Sequence, residues 1–307
     1  IRKFYVIAVA MTAFISHATF AQGYPSQPIN AVVGFAAGGT TDAANRLVAD
    51  EAKKVLGTDI TIINKPGANT TVAITERIAA VARAAAGPGT DIVAVTGAVG
   101  VPYIATRAEA AVAGRTTLEL MAEHAPGCDA AIVAAFGDPG VGGARELLDI
   151  PVIGLAEAAM LSACMLGRRY AIVTFATALG PWYRECVEYN GLAGRLAAIR
   201  CLDAPFAEIG DVQREKSALL VEMCRRAMAE DEADVVILGG APLAGLAAQV
   251  AHLVEVPLVD GVAAAVGQAE TLARLRPRKA TAGTFRRPAG KAIIGVPDAL
   301  RRLFERD

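Results

Sequence analysis

Residues 129–154, DAAIVAAFGDPGVGGARELLDIPVIG, and residues 233–261, ADVVILGGAPLAGLAAQVAHLVEVPLVDG, follow one plan. Each starts near an aspartate (Asp129, Asp234), runs through an apolar, β-branched stretch and breaks at a small-residue turn containing a proline. A helical stretch follows, then a short strand led by Pro151 or Pro257. Ala135 and Gly240 each stand six residues after their aspartate. Apolar strands without polar alternation suit a parallel sheet covered on both faces. Two such units, if related by duplication, face each other with ligand at the carboxyl ends of the strands. Two unrelated α/β units would give the same runs without a shared site.

The pattern extends on both sides. Further strands are predicted at DIVAV (91–95), YAIVTF (170–175) and LAAIRCL (196–202). Periodic helices are predicted over about 70–86, 106–125, 141–147, 156–166, 179–190, 212–230, 242–253 and 261–275. Strands alternating with helices and joined by short loops define an α/β protein. The expected architecture is two pseudo-symmetric parallel-sheet halves with the site in the cleft between them.

With 307 residues the chain has room for about two domains. Its net charge of −1 and the lack of a basic stripe argue against a nucleic-acid partner. Five cysteines occur without a CxxC pair, and His17, His124 and His252 lie far apart. No metal-ligand spacing results, and neither metal nor cofactor is expected. The unpaired cysteine count suits a reduced, cytoplasmic protein.

The first 21 residues point elsewhere. Arg2 and Lys3 precede an apolar run from Phe4 to about Ile15, and small residues follow up to Ala21. That is the pattern of a secretory leader, with an apolar run too short to span a membrane. The compartment is therefore open between cytoplasm and periplasm. A chain opening on Ile is expected to be a fragment or to carry an unusual start. Residues 22–69 read as strand (Ile29 to Phe35), Gly loop, helix from Thr41 or Asp42 to about Val55, and second strand DITIIN (59–64). The motifs YPSQPI, FAAGGTTDAANRL and NKPGAN resemble the opening of substrate-binding proteins of tripartite tricarboxylate transporters. They cover only about the first sixth of such a protein, so a secreted solute receptor is the weaker reading.

Beyond Asn69 the resemblance changes. NTTVAITERIAAVARAAAGPGTDIVAVT, FGDPGVGGARELLDIPVIGLAEAAM, LGRRYAIVT, LGGAPLAGLA and VPLVDGVAAAV are similar to the Asp/Glu/hydantoin racemase family, most of all its hydantoin and allantoin branch. The stretch IINKPGANTT satisfies both resemblances, with DITIIN able to serve as the first strand of the racemase part. A fusion near Asn69 is inferred. The expected organisation is a leader (1–21), a transporter-like segment (22–69), a first half (58–155 with 256–275), a second half (156–255) and a basic tail (276–307).

The resemblance implies cofactor-independent removal and return of an α-proton by two cysteines, one on each face of the substrate. It places them at positions held here by Ala135 and Gly240. Cys128, Cys164, Cys186, Cys201 and Cys224 fall in helices or at strand ends and read as packing residues. A decarboxylase of the superfamily carries glycine at one of the two positions but keeps the other thiol. Resemblance alone therefore supplies no mechanism here.

The remaining candidate acid–base groups are Asp138 and Glu157. Asp138 also reads as a helix cap or turn residue, and Glu157 as a group orienting the inter-domain helix. Candidate substrate contacts are Asn69 and Thr70, Phe136, Gly137, Pro139 and Gly140, Thr174, and Gly239, Gly240, Ala241 and Pro242. Phe175 stands where the resemblance expects a second threonine after Thr174. Trp182 and Tyr183 read as cleft or core residues, and Asp260 as the cap of the last helix of the second unit. The tail from Arg276 reads as a mostly solvated extension with a short final helix, and its docking in a homo-oligomer is left open. The expected partner is a small carboxylate, hydantoin or ureide. The expected activity is that of a racemase or epimerase on amino-acid derivatives, with non-catalytic binding of the same ligands as the alternative.

Overall fold

The computed structural model describes residues 29–33, 51, 53–54, 60–64, 72–97, 100–205 and 208–306. The leader, the transporter-like Gly loop and most of its helix, and the candidates Asn69 and Thr70 lie outside the described residues. Strands β1 (Ile29–Val33) and β2 (Ile60–Asn64) pair in parallel, Ile29 opposite Ile60. Helices α1 (Val72–Ala85) and α2 (Arg107–His124) follow. A capping box starts α2: the Thr106 hydroxyl accepts from the Glu109 N–H, and Glu109 Oε2 accepts from the Thr106 N–H at 2.9 Å.

The first repeat unit forms β3 (Ala131–Val133), α3 (Val141–Leu147) and β4 (Val152–Gly154), with β3 and β4 parallel. Helix α4 (Leu155–Leu166) leads to β5 (Tyr170–Thr174), α5 (Leu179–Tyr189), β6 (Leu196–Cys201) and α6 (Val212–Asp231). The second unit forms β7 (Val235–Leu238), α7 (Leu246–Val250) and β8 (Leu258–Asp260), and α8 (Gly261–Leu275) follows it. Strands β6-β5-β7-β8 make one parallel sheet in that order. β5 and β7 are buried along their whole length, as expected of strands covered on both faces by helices. The chain is thus an α/β protein with parallel sheets.

Several expectations need correction. Residues 91–97 form no strand, and Val93 is 66% exposed. A strand needs a neighbour for its backbone N–H and C=O groups. β2 pairs with β1, in a sheet separate from β3–β4, and this pairing does not conflict with its expected place as the first strand of the racemase part. The helix predicted over 242–253 is broken into a 3₁₀ turn at Ala241–Leu243, α7, and a second 3₁₀ turn at Ala251–Leu253. Ala244 at ψ 130° and Gly245 at φ 83° interrupt a continuous helix there.

Residues 256–275 contribute to two sheets. β8 joins the sheet of the second half through β7, whereas α8 packs on α4, α1 and the β3–β4 pair. The tail is largely exposed but anchored. Its helix α9 (Asp298–Glu305) packs on α2, and Leu300, 2% exposed, sits with Ala122 and Leu147. Arg287 and Arg306 both pair with Asp149, and Lys279 donates to the Arg145 carbonyl.

Candidate functional site

In the four-stranded sheet the chain moves from β5 outward to β6, then returns to the other side of β5 with β7. The carboxyl ends of β5 and β7 therefore flank a topological switch point, where open α/β sheets bind ligands. Thr174 and Phe175 end one strand, and Gly239 and Gly240 follow the other. The Gly239 N–H donates to the Val173 carbonyl at 2.8 Å, which ties the two ends together.

The loop after β3 reaches this point from the first half. A Cβ on Gly239 would lie 3.3 Å from the Phe136 ring. Phe136 stacks obliquely on Tyr183 at 4.7 Å between centroids, and Tyr183 on Trp182 at 5.6 Å. Gly137, at φ 106°, lies so close to Trp182 that a Cβ would meet the indole at 2.4 Å. Gly240, at φ 125°, leaves no room either: its Cβ would meet the Phe175 ring at 2.5 Å. Phe136, Gly137, Gly239 and Gly240 are thus brought together by side chains of α5 and the β5 end. Trp182 and Tyr183 act both as core and as the floor of this region.

Thr174 is fully buried, and its hydroxyl makes no complete hydrogen bond among the described residues. It lies close enough to the Tyr183 phenol to oppose the rise of that group's pKa, which burial drives well above the ordinary range. Pro139 and Gly140 face away, toward α2: a Cβ on Gly140 would lie 2.7 Å from the Gly114 carbonyl oxygen. Gly140, at φ 82°, starts α3 in the left-handed region, a conformation glycine adopts without strain. Ala241 is buried, and the Pro242 carbonyl accepts from Arg77 at 3.1 Å and from Gln213 at 2.8 Å. Those two backbone positions are occupied by the scaffold.

Asp138 adopts φ 55° and is 6% exposed. Its Oδ1 accepts from the Ala156 N–H and its Oδ2 from the Glu157 N–H, each at 2.8 Å. It therefore caps α4 across space rather than α3, the helix that follows it in sequence. Burial pushes its carboxyl up to about 7, although the two N–H donors pull the other way. Gly154 makes this possible, because a Cβ there would sit 2.3 Å from Asp138 Oδ2. Glu157 is held by Arg145 through two contacts, one of them 3.1 Å between Nη1 and Oε1, and Arg145 Nε donates to the Val152 carbonyl at 2.9 Å.

Three thiols, those of Cys186, Cys201 and Cys224, are poor proton carriers near neutrality. Burial raises Cys186, with the nearby Asp138 and Glu157 carboxylates adding to the rise, and it raises Cys201; Cys224 is pushed up to about 12. Among the described residues no three His, Cys, Asp or Glu side chains form a metal-binding group, and no helix is long and apolar enough to cross a membrane. Two residues that shape the site carried no functional signal in the sequence: Gly154 and Arg145. Gly154 could have been found from the repeat, since it aligns with Asp260 at the end of the matching strand.

Parallel sheets, covered strands and two loops meeting at a switch point define a class: α/β proteins with helices packed on parallel sheets. Within that class the chain belongs to the Asp/Glu/hydantoin racemase family, whose model matches residues 60–269. It is 32% identical to a hydantoin racemase of Pseudomonas sp. (strain NS671) over 232 residues, spanning 74% of this chain and 92% of the relative. It resembles the solved structure of an allantoin racemase from Klebsiella pneumoniae with a TM-score of 0.72 and 37% identity, covering 76% of this chain and 96% of that one. An allantoin racemase from Pseudomonas fluorescens gives a TM-score of 0.68 and 34% identity, over 75% of this chain and 97% of that one. The matched family residues include β2, which hydrogen-bonds to β1.

Proposed function

We propose that this chain acts on hydantoins, or on ureides and carboxylates of similar shape, as a racemase-type protein with a thiol-free site. The observation that carries this reading is the meeting of the loops after β3 and β7, with Phe136 against Gly239 at the switch point. The family and the names of its relatives supply the substrate class. The chemistry is removal of the α-proton, with its electron pair delocalised into the neighbouring carbonyl, and return of a proton to the same carbon. Asp138 is the group in the β3 loop with a pKa suited to carry that proton near neutrality. A single carrier returns the proton to the face it left. Isotope exchange with retention is therefore the expected outcome, and racemisation requires a second carrier on the opposite face.

A second reading, a binder of the same ligands without turnover, is favoured by specific observations. Ala135 and Gly240 hold the two positions that the resemblance gives to thiols. Both oxygens of Asp138 accept backbone N–H groups, and Glu157 is paired to Arg145. The test is deuterium incorporation at the α-carbon of 5-substituted hydantoins, allantoin, aspartate and glutamate in D2O, followed by NMR with optical rotation recorded in parallel. Exchange that disappears in Asp138→Asn supports the first reading. Saturable binding by calorimetry without exchange in the parent chain supports the second. Neither exchange nor binding with any of these compounds would reject both.

A further inference from the structure

We propose that Phe175 and Gly240 form one interlocked pair: while the phenylalanine ring holds its place, residue 240 has to be glycine, and a thiol is admitted there only when residue 175 is small.

A Cβ at 240 would lie 2.5 Å from Phe175 Cε1 and 3.2 Å from Cδ1. The first distance is shorter than any real carbon–carbon contact, so one of the two partners must move. The ring is not the free end of a flexible side chain. Phe175 is 2% exposed, and Tyr103 meets it edge-on at 6.1 Å and 64°. The backbone on either side is fixed as well. The Thr174 carbonyl accepts from the Leu202 N–H at 2.8 Å, and the Val173 carbonyl accepts from the Gly239 N–H at 2.8 Å. Gly240 itself sits at φ 125°, which an L residue rarely adopts. A side chain at 240 therefore meets two obstacles, the ring and the backbone angle, and removing the ring relieves the first while giving the loop space to relax the second.

The first half shows no such lock. Ala135 already carries a Cβ and is partly exposed, so a thiol there adds one atom to a side chain that already fits. The two positions that correspond in the repeat thus differ in what they can accept. Phe175 is a positioning residue: it determines whether the second half can place a proton-carrying side chain at 240. This inference deepens the proposed function, because it rests on residue 240 facing the ligand.

The test is a double-mutant cycle on the full chain with Gly240→Cys, Phe175→Thr and both together, read by thermal unfolding. Gly240→Ala serves as the steric control without sulfur. The expected result is that Gly240→Cys and Gly240→Ala each lower Tm by roughly 3–8 °C. Phe175→Thr lowers it by a similar amount through the cavity it leaves, and the double variant unfolds at least ~3 °C above the sum of the single effects. Should the residue-240 variants fail to fold, recovery of a cooperative transition by adding Phe175→Thr supports the pair. A Gly240 variant as stable as the parent, additive effects, or a double variant that still fails to fold would overturn it. In a second arm, Ala135→Cys/Phe175→Thr/Gly240→Cys is offered 5-substituted hydantoins in D2O. A cycle that shows coupling together with no exchange in this triple variant counts against the reading of residue 240 as a ligand-facing position, and leaves the interlock standing.

Discussion

The two repeat units solve one problem from opposite ends. In each, a small-residue loop must be fastened to the helix that begins after the next strand. In the first unit the fastening carboxylate belongs to the loop: Asp138 reaches across to the N–H groups of Ala156 and Glu157, the second and third residues of α4. In the second unit the carboxylate belongs to the strand end. Asp260 Oδ1 accepts from Val262 and Ala263, the second and third residues of α8, at 2.8 and 3.1 Å, and its Oδ2 reaches back to the Gly245 N–H at 2.6 Å. Gly154 stands where Asp260 would be, and Leu243 where Asp138 would be. The difference teaches that the link is what the fold requires, and that the residue supplying it can come from either side: the first unit needs the bare Cα of Gly154 opposite its carboxylate, whereas the second carries the buried Leu243 there. It also explains why Asp138, the best-placed carboxyl of the site, is partly committed to structure.

The largest expected effect comes from filling the empty position. Gly154→Ala puts a methyl group on Asp138 Oδ2 and should cost about 3–5 kcal/mol by urea unfolding. A cost below about 1 kcal/mol would mean that the carboxylate is not what joins loop to helix in the first unit.

The pH dependence comes next. Asp138 in the folded chain titrates at about 7, above its value of about 4 when unfolded. Between those values the folded state keeps a proton that the unfolded state has lost. The contribution of Asp138 is therefore fully present below about pH 4 and is lost as pH rises to about 7, by about 2–4 kcal/mol. The difference between the parent chain and Asp138→Asn, followed by urea unfolding from pH 4 to 8, should trace this decline. A difference independent of pH would place the carboxyl in an ordinary environment.

Direct deletion ranks third and separates the two clasps. Asp138→Ala strands two N–H groups in a buried setting and should cost about 2–3 kcal/mol. Asp260→Ala strands three, but Asp260 is only partly buried, so water can replace the carboxylate and the cost should be about 1–2 kcal/mol. Equal costs would show that burial does not distinguish the units. The smallest effect concerns the tail. Asp149→Ala removes the shared partner of Arg287 and Arg306 at a half-exposed site and should cost about 0.5–1 kcal/mol. Faster amide hydrogen exchange confined to residues near 285–306 would report the loosened anchor.

Much of this comparison was written in the chain. The repeat, the helices, the strands of the four-stranded sheet and the Asp260 cap all follow from periodicity and capping chemistry. The rest depended on distances in three dimensions. Asp138 was expected to serve the turn or helix next to it, because local sequence contains no sign of a helix start seventeen residues away. DIVAV has strand composition, but composition does not supply the hydrogen-bonding neighbour a strand needs, and residues 91–97 form none. The quarrel between Phe175 and a Cβ at 240 is a contact between the ends of two strands: the resemblance marks each residue as a departure, but only the distance between them shows that the two departures are linked.

The path of α8 has a consequence for how the molecule is made. The strands of the larger sheet lie in an unbroken stretch from Tyr170 to Asp260, so that sheet has its full set of strands as soon as β8 emerges from the ribosome. The β3–β4 pair, synthesised earlier, must wait for its cover, because α8 follows β8 in the chain and folds back over it, α4 and α1. In vectorial synthesis the older half is thus the later one to be completed. A ribosome stalled before Leu275 would hold a finished second half beside a first half whose apolar face is still open to chaperones.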